Sequence, residues 1–451
     1  NKNKYKNDDY NISIHNIKLI INGNNMKKLI IITLFINIIT LYALTENENK
    51  MINAVKIGDI RTIQTLLSQN VSPNIKDERG YSLIHIAAEN NQTSSINVLK
   101  TSPYTDLNIL LESNTKITNN NQYIDGSYYS AMDIAAVNKN FESVKLLIDS
   151  GANINFKMKE KPRSEFLASE YSNPQILELY LNKNIYLLMN SEDVVSLIKS
   201  ASIGNNAENI NYLVKNLGID VDTKDTNTML HYAVGNGSIE AASELIKLGA
   251  NIDNTNANFK TSLHYVIENN SNKLLESVNL LLSKNANPNI KDKNGNTALH
   301  LSVMNAHKSK SKYIDVINAL IKYNADINIL NEQNQLALNI AVINNDTEIS
   351  NILINAESEL NNIYNGYAPI HIAVKNNNIS IVDNLLLNGA DAEIKDSRGY
   401  TPLAIAVENN NLEMCRKLIR NNAAADSKAI DLAKKINNKE IKKLLGLEEV
   451  N

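Results

Sequence analysis

Along the chain, apolar positions come in short bursts of helical period separated by polar turns, and the bursts recur. One apolar anchor per burst gives Ile84, Met132, Phe166, Leu197, Leu230, Leu263, Leu299, Leu338, Ile370 and Leu403, spaced by 48, 34, 31, 33, 33, 36, 39, 32 and 33 residues. A period near 33 marks stacked supersecondary units, each too small to bury its apolar face without its neighbours. Two residues before the anchor stands a hydroxyl in Ser82, Ser130, Ser164, Thr228, Thr261, Thr297 and Thr401. That placement predicts N-caps whose side chains accept a backbone N–H of the first turn. Pro369 and Pro402 fill the next slot, the first helical position, where a missing N–H is harmless. Val195, Leu336 and Ala368 occupy the cap slot without a hydroxyl.

Three residues after the anchor comes a small side chain in nearly every unit, as in Ala87, Ala135, Ala233, Ser302, Ala341, Ala373 and Ala406, which lets helices approach closely. A second apolar helix follows. It is predicted to end at Gly151, Gly218, Gly249 or Gly389, or at Asn70, Asn285 or Asn324, residues that tolerate a left-handed C-cap. A polar turn such as Lys291–Asn296 then leads to the next N-cap and is expected to project as a finger.

The stretches TALHLSV (297–303), APIHIAV (368–374), TPLAIAV (401–407), SLIHIAA (82–88), TMLHYAV (228–234) and TSLHYVI (261–267) resemble the T-P-L-H-x-A opening of the ankyrin repeat. The family's G-A-D-x-N ending is echoed in GANIN, GANID, NADIN and GADAE. The resemblance covers residues 46–451 and implies an all-α solenoid of stacked helix–turn–helix units with short hairpin fingers. With the leader-like segment described below, it points to an exported bacterial member.

Five of the 7 histidines, His85, His231, His264, His300 and His371, sit in the same local pattern, at the third helical position after the cap. There a side chain can reach back to the cap as Glu does in a capping box. The resemblance implies that these imidazoles also bond neighbouring loop backbone. Asp133, Leu167, Ile198, Asn339 and Ala404 replace the histidine elsewhere. Metal binding would need several such imidazoles around one ion at ligand distances of about 2 Å, whereas successive copies lie a repeat apart. The histidines and their caps Ser82, Thr228, Thr261, Thr297 and Thr401 are therefore read as scaffold.

Lys27 and Lys28 precede an apolar run that ends near Leu44 and gives way to a polar, acidic stretch. This is the layout of a signal peptide, and the run is short of the ~20 residues that span a bilayer. The expected organisation is an upstream extension at 1–25, a signal peptide at 26–43 and a repeat domain at 46–451. Within that domain, 46–79 forms an N-terminal cap, 80–427 about ten repeats with an insertion near 103–128, and 428–451 a C-terminal cap. The expected location is periplasmic or secreted, with inner-membrane anchoring by residues 29–44 as the alternative.

Composition adds exclusions. The 451 residues carry 45 basic and 48 acidic side chains, a formal charge of -3, so the positive field that draws in a phosphate backbone is missing and no nucleic-acid partner is expected. Cys415 stands alone, which excludes an internal disulfide. Asn, Ile and Lys dominate, a bias attributed to codon usage. No phosphate-binding loop, nucleophile elbow, His-Glu-x-x-His or calcium-loop pattern occurs. The Gly-x-Gly at Gly235–Gly237 lacks the preceding strand of a dinucleotide site.

No catalytic residue, metal or cofactor is therefore expected. The expected function is a non-catalytic scaffold that binds a protein through its fingers and concave face. The alternatives are an inhibitor or immunity-type partner of an exported enzyme and, further off, an enzyme with its site in the 104–129 insertion. The finger residues Asp77, Arg79, Tyr81, Asp292, Lys293, Asn294, Tyr367, Arg398 and Tyr400 are the candidate contacts, on the expectation that finger tips are free of packing duties and that aromatic and charged residues there serve recognition.

Overall fold

The structure, a computed structural model, describes residues 44–113, 115–119, 122–154, 164–183 and 191–447. The expected extension (1–25) and signal peptide (26–43) lie outside the described residues, as do 155–163, 184–190 and the last four residues of the expected C-terminal cap. The chain divides into two compact units, residues 1–153 and 154–451, where the sequence period suggests one uninterrupted array.

In the first unit, α1 (Glu46–Ile57) pairs with α2 (Ile60–Ser68), α3 (Leu83–Glu89) with α4 (Thr93–Leu99), and α5 (Ala131–Val137) with α6 (Phe141–Asp149). The insertion between α4 and α5 carries an unexpected antiparallel ribbon, β1 (Lys116–Asn119) against β2 (Gln122–Asp125), in register Ile117 to Ile124. Burial of Ile117 and Leu111 roots this ribbon in the unit.

The second unit continues the scheme through nine pairs. These are α7 (Ser164–Tyr171) with α8 (Pro174–Lys183), α9 (Ser191–Ile203) with α10 (Ala207–Lys215), α11 (Met229–Asn236) with α12 (Ile239–Lys247) and α13 (Ser262–Asn269) with α14 (Leu274–Ser283). Then come α15 (Ala298–Asn305) with α16 (Lys310–Lys322), α17 (Ala337–Ile343) with α18 (Thr347–Asn355), α19 (Pro369–Lys375) with α20 (Ile379–Leu387), α21 (Pro402–Glu408) with α22 (Leu412–Arg420), and α23 (Ser427–Lys435) with α24 (Lys439–Leu444). First helices pack on first helices of the next pair and second on second. The small residues after the anchor, Ala233, Ser302, Ala341, Ala373 and Ala406, are fully buried between them. Helix α9 begins at Ser191, so Val195 lies inside it and is no cap.

Helices of seven to nine residues are too short to hold in isolation, and hydrogen bonds between repeats supply much of what they lack. One relay runs along the second unit. Asp222 Oδ1 accepts the Asn251 N–H at 3.1 Å, Asn251 Oδ1 that of Asp253 at 3.1 Å, and Asp253 Oδ1 that of Asn287 at 2.9 Å. Asn287 then serves Asn289, Asn289 serves Asp326, Asp326 serves Asn328, and Asn328 serves Glu359. Side chain and backbone alternate from one repeat to the next.

A second ladder joins the turns within helix pairs. Asn345, Asn377 and Asn410 adopt left-handed φ of 55°, 55° and 54°, and each side-chain carbonyl accepts an amide N–H from the following repeat's Asn378, Asn411 or Asn438, at 2.8, 2.6 and 2.7 Å. The asparagine bias assigned to codon usage is thus used structurally.

The fingers share a five-residue turn opened by Asp77, Asn256, Asp292, Asn331 or Asp396. That residue's side-chain oxygen accepts the N–H groups two and four residues on, as Asp292 does from Asn294 at 2.8 Å and Asn296 at 2.9 Å. Its own N–H donates to the carbonyl four residues on. Neighbouring fingers then pair: the Lys293 N–H donates to Asn258 O, the Glu332 N–H to Asn294 O, both at 3.1 Å, and the Ser397 N–H to Gly366 O at 2.9 Å.

Two glycines separate the contributions to this pairing. Gly295 (φ 74°) and Gly399 (φ 77°) hold the same turn position, but a Cβ at Gly295 would lie 2.6 Å from the Glu332 backbone nitrogen, while at Gly399 nothing stands within 4 Å. Gly399→Ala is expected to cost about 1 kcal/mol from left-handed strain alone. Gly295→Ala is expected to cost distinctly more, because it also forces the paired fingers apart. Urea denaturation of the two variants checks this, and equal losses would show that finger pairing contributes nothing.

Candidate partner-binding surface

The five repeated histidines form one device. In each the Nε2–H donates to a backbone carbonyl of the next finger: Tyr129 for His85 (3.1 Å), Lys260 for His231 (2.8 Å), Asn296 for His264 (3.1 Å), Gln335 for His300 (3.0 Å) and Tyr400 for His371 (3.2 Å). A carbonyl can only accept, so Nε2 carries the proton and Nδ1 is the acceptor. Nδ1 receives the cap hydroxyl of Ser82, Thr228, Thr261 or Thr297 at 2.7 to 2.9 Å. In His371, whose cap slot holds Ala368, it receives that residue's N–H at 3.0 Å. Asn339 performs the same two-sided task in α17, accepting from the Leu336 N–H at 2.8 Å and donating to Asn362 O. Thr401, followed by Ala404 instead of histidine, caps the Ala404 N–H directly.

Burial depresses all five histidine pKa values, against the opposing carbonyl bonds, and takes His85 from 6.5 down to about 4. Among the described residues no three His, Cys, Asp or Glu side chains gather as a metal would require. Cys415 is buried, and that burial pushes its thiol up to about 12.

The finger residues divide into two kinds. In the first finger, Arg79 donates Nε to Asp77 Oδ2 at 2.9 Å, places Nη1 and Nη2 on the two carboxylate oxygens of Glu89 at 2.9 Å each, and stacks its guanidinium 4.0 Å above the ring of Tyr81. The finger at 396–400 repeats the arrangement in Arg398, Asp396, Glu408 and Tyr400, with the guanidinium 4.2 Å above the ring. The expectation that these tips lack packing duties is corrected: each arginine is a clasp between turn and helix end. Tyr81, with 1% of its surface exposed, is buried beneath its clasp, and Asp292 is buried in its turn, so both are structural and neither is a contact. Asp77 likewise spends its carboxylate on the turn and on Arg79. Tyr367 and Tyr400 are half-buried, with Lys375 4.2 Å from the Tyr367 ring.

Lys293 and Asn294 remain exposed at their tip, Lys293 reaching Asn258 Oδ1 at 2.8 Å. They share a face with groups that the sequence did not single out. Lys199 donates to Asp225 Oδ2 at 2.8 Å and lies 4.2 Å from the ring of Tyr232, whose hydroxyl donates to Asp225 Oδ1 at 2.6 Å. Burial acts to raise the Asp225 pKa, but these bonds and the Asn227 N–H outweigh it and hold the carboxyl below its usual range. Glu89 and Glu408 were findable in the sequence, since Asp, Arg, Gly, Tyr and Glu recur at identical offsets in 77–89 and 396–408.

A family model described as ankyrin repeats (three copies) matches residues 51–158, 166–256, 249–331, 304–396, 338–431 and 370–449. The chain is 25% identical over 276 residues, 58% of its length, to the putative ankyrin repeat protein L371 of Acanthamoeba polyphaga mimivirus, of whose length it spans about a third, 34%. Among solved structures it is similar to the ankyrin repeat domain of Bcl-3 (26% identity, TM-score 0.43, 49% of this chain and 100% of that one). It is also similar to an ankyrin repeat domain from Acinetobacter baumannii (23% identity, TM-score 0.39, 43% of this chain and 97% of that one).

The histidine device makes stability depend on pH in one direction. Because the folded-state pKa values lie below the unfolded value of 6.5, the stability these residues contribute is present above pH 6.5. It is lost as pH falls toward the folded values, about 4 for His85. His300→Ala should cost about 2 kcal/mol, leaving the Gln335 carbonyl without its donor. His300→Asn should cost less and flatten the loss below pH 6.5, since an amide does not titrate there. Urea midpoints measured across that range test both expectations, and an unchanged pH slope in His300→Asn would refute the assignment.

Proposed function

The chain belongs to the ankyrin repeat family, and on that premise we propose that it is a protein-binding scaffold that captures its partner through the finger side. Proteins of this family are in general non-catalytic binding scaffolds, all-α solenoids whose repeats serve protein–protein interaction. The observation that carries the reading to this chain is the division of labour in the second unit. Apolar helix faces are consumed by stacking, while the paired backbones of the fingers hold Lys293, Asn294 and their neighbours outward on a braced frame. Side chains already ordered by such a frame lose less conformational freedom on binding. An inhibitor of an exported enzyme would be the narrower form of this role.

Export is proposed alongside it, supported by Lys27 and Lys28 ahead of the apolar run to Leu44. Processing near Ala43 is the expected result of N-terminal sequencing on protein recovered from the producing cell. Retention of the run would replace export with anchoring.

The division of labour also predicts how variants separate. Lys293→Ala should weaken partner capture severalfold with the melting transition unmoved, because its ammonium meets only a neutral amide. Arg79→Ala and Arg398→Ala should each lower stability by about 1 kcal/mol, through loss of a half-exposed clasp. Lys145→Ala and Lys247→Ala on second helices should leave capture intact. Capture by the immobilised full chain, read beside thermal melting, decides, and weakening by the second-helix pair alone would place the binding face elsewhere.

A further inference from the structure

In the shared five-residue turn the fourth position is left-handed, and the fingers supply residues that tolerate it: Gly80, Gly295, Gly399 and, in the finger 331–335, Asn334. The finger 256–260 instead places Phe259 there, at φ 54° and with 62% of its surface exposed. A bulky side chain in this region is strained, and an exposed phenyl ring gains nothing from burial. Two unfavourable features at one tip are the kind of outlier from which function is inferred.

The surroundings of this ring are polarised. Asn256 Nδ2 donates to Asn227 Oδ1 of the preceding finger at 2.9 Å, and Asn258 receives both the backbone and the ammonium of Lys293 from the following one. The fingers 224–228, 256–260 and 291–296 are therefore stitched together with Phe259 on the central tip. Their carboxylates are occupied: Asp225 by Lys199 and Tyr232, and Asp292 within its own turn. Lys260 is paired with Glu268. Lys224, Lys291 and Lys293 are exposed, and no carboxylate lies within ion-pair distance of them among the described residues. Glu332 on the next finger marks the edge of this cationic surface.

We infer that these three fingers form a docking site for an acidic, extended segment of a partner protein, with Phe259 as the apolar anchor. The inference rests on the scaffold reading and narrows it. Carboxylates of the segment meet Lys224, Lys291 and Lys293, and an aliphatic or aromatic side chain covers the ring. Binding should weaken with ionic strength, as charge pairing at an exposed surface does.

The test is selection of a randomised peptide display library on the immobilised full chain, followed by affinity measurement of the selected peptides. The expected peptides are acidic with an apolar residue, and Phe259→Gly weakens them at least tenfold without lowering the melting temperature, since glycine relieves the left-handed strain. Phe259→Asn, the residue type found at position 334, should do the same, and Lys291→Glu with Lys293→Glu should abolish binding. Peptides without acidic bias, or indifferent to both sets of variants, overturn this site while leaving the scaffold reading in place. Failure to select any peptide, or tighter binding of a single-stranded oligonucleotide of equal charge, overturns the acidic-segment assignment, and the capture experiment above then judges the scaffold reading separately.

Discussion

The imidazole that accepts a hydrogen bond from its own helix cap at Nδ1 and donates its Nε2–H to the next finger is the contact on which the remaining architecture depends. First helices such as α3, α17, α19 and α21 have seven residues each, too few to persist unsupported. A buried His300 fixes both where its helix begins and where the following finger must lie, 2.9 Å from one partner and 3.0 Å from the other. Because both ring nitrogens are engaged in a neutral ring, burial is tolerated, and the depressed pKa follows directly. Asn339 shows that the requirement is one acceptor and one donor on a short side chain, not an imidazole as such.

Around this contact the chain satisfies its backbone with side-chain carbonyls. Asparagine suits the task twice, since it enters the left-handed region more readily than other side chains and carries both donor and acceptor. At Asn345, Asn377 and Asn410 it turns the chain and receives the next repeat in one residue. The relay from Asp222 to Glu359 extends the same economy of means along the opposite edge of each pair. The apolar core therefore supplies cohesion, while amides set the register between repeats.

The finger side chains divide between those bound into their own repeat and those left without an ion pair. Arg79 and Arg398, which look like the most inviting contacts, are bound to Glu89 and Glu408 and roof over Tyr81 and Tyr400. The middle fingers keep Lys224, Lys291 and Lys293 without an ion pair among the described residues and carry Phe259 in a conformation that glycine would adopt more comfortably. Residues that stabilise their own repeat and residues left without an ion pair can thus stand side by side, as Asp292 and Lys293 do on one finger.

The repeat period, the helix starts, the left-handed helix ends and the bonding of the histidines to their caps were legible in the sequence, because each arises from bonds within about four residues and recurs at a fixed offset; the expectation that Ser82 and Thr228 accept a first-turn N–H is corrected, since their hydroxyls donate to the imidazole instead. Which finger side chains stay without an ion pair was legible only as a region. Arg79 and Lys293 look alike in sequence, and what separates them is a carboxylate ten residues on for one and a neutral amide from the preceding repeat for the other. The division at residue 153, the ribbon at 116–125 and the exposure of Phe259 likewise depend on which surfaces meet across repeats. Local hydrogen-bonding chemistry is written in short spacings. The availability of a side chain is decided by neighbours about thirty residues away, and only the packed stack brings those together.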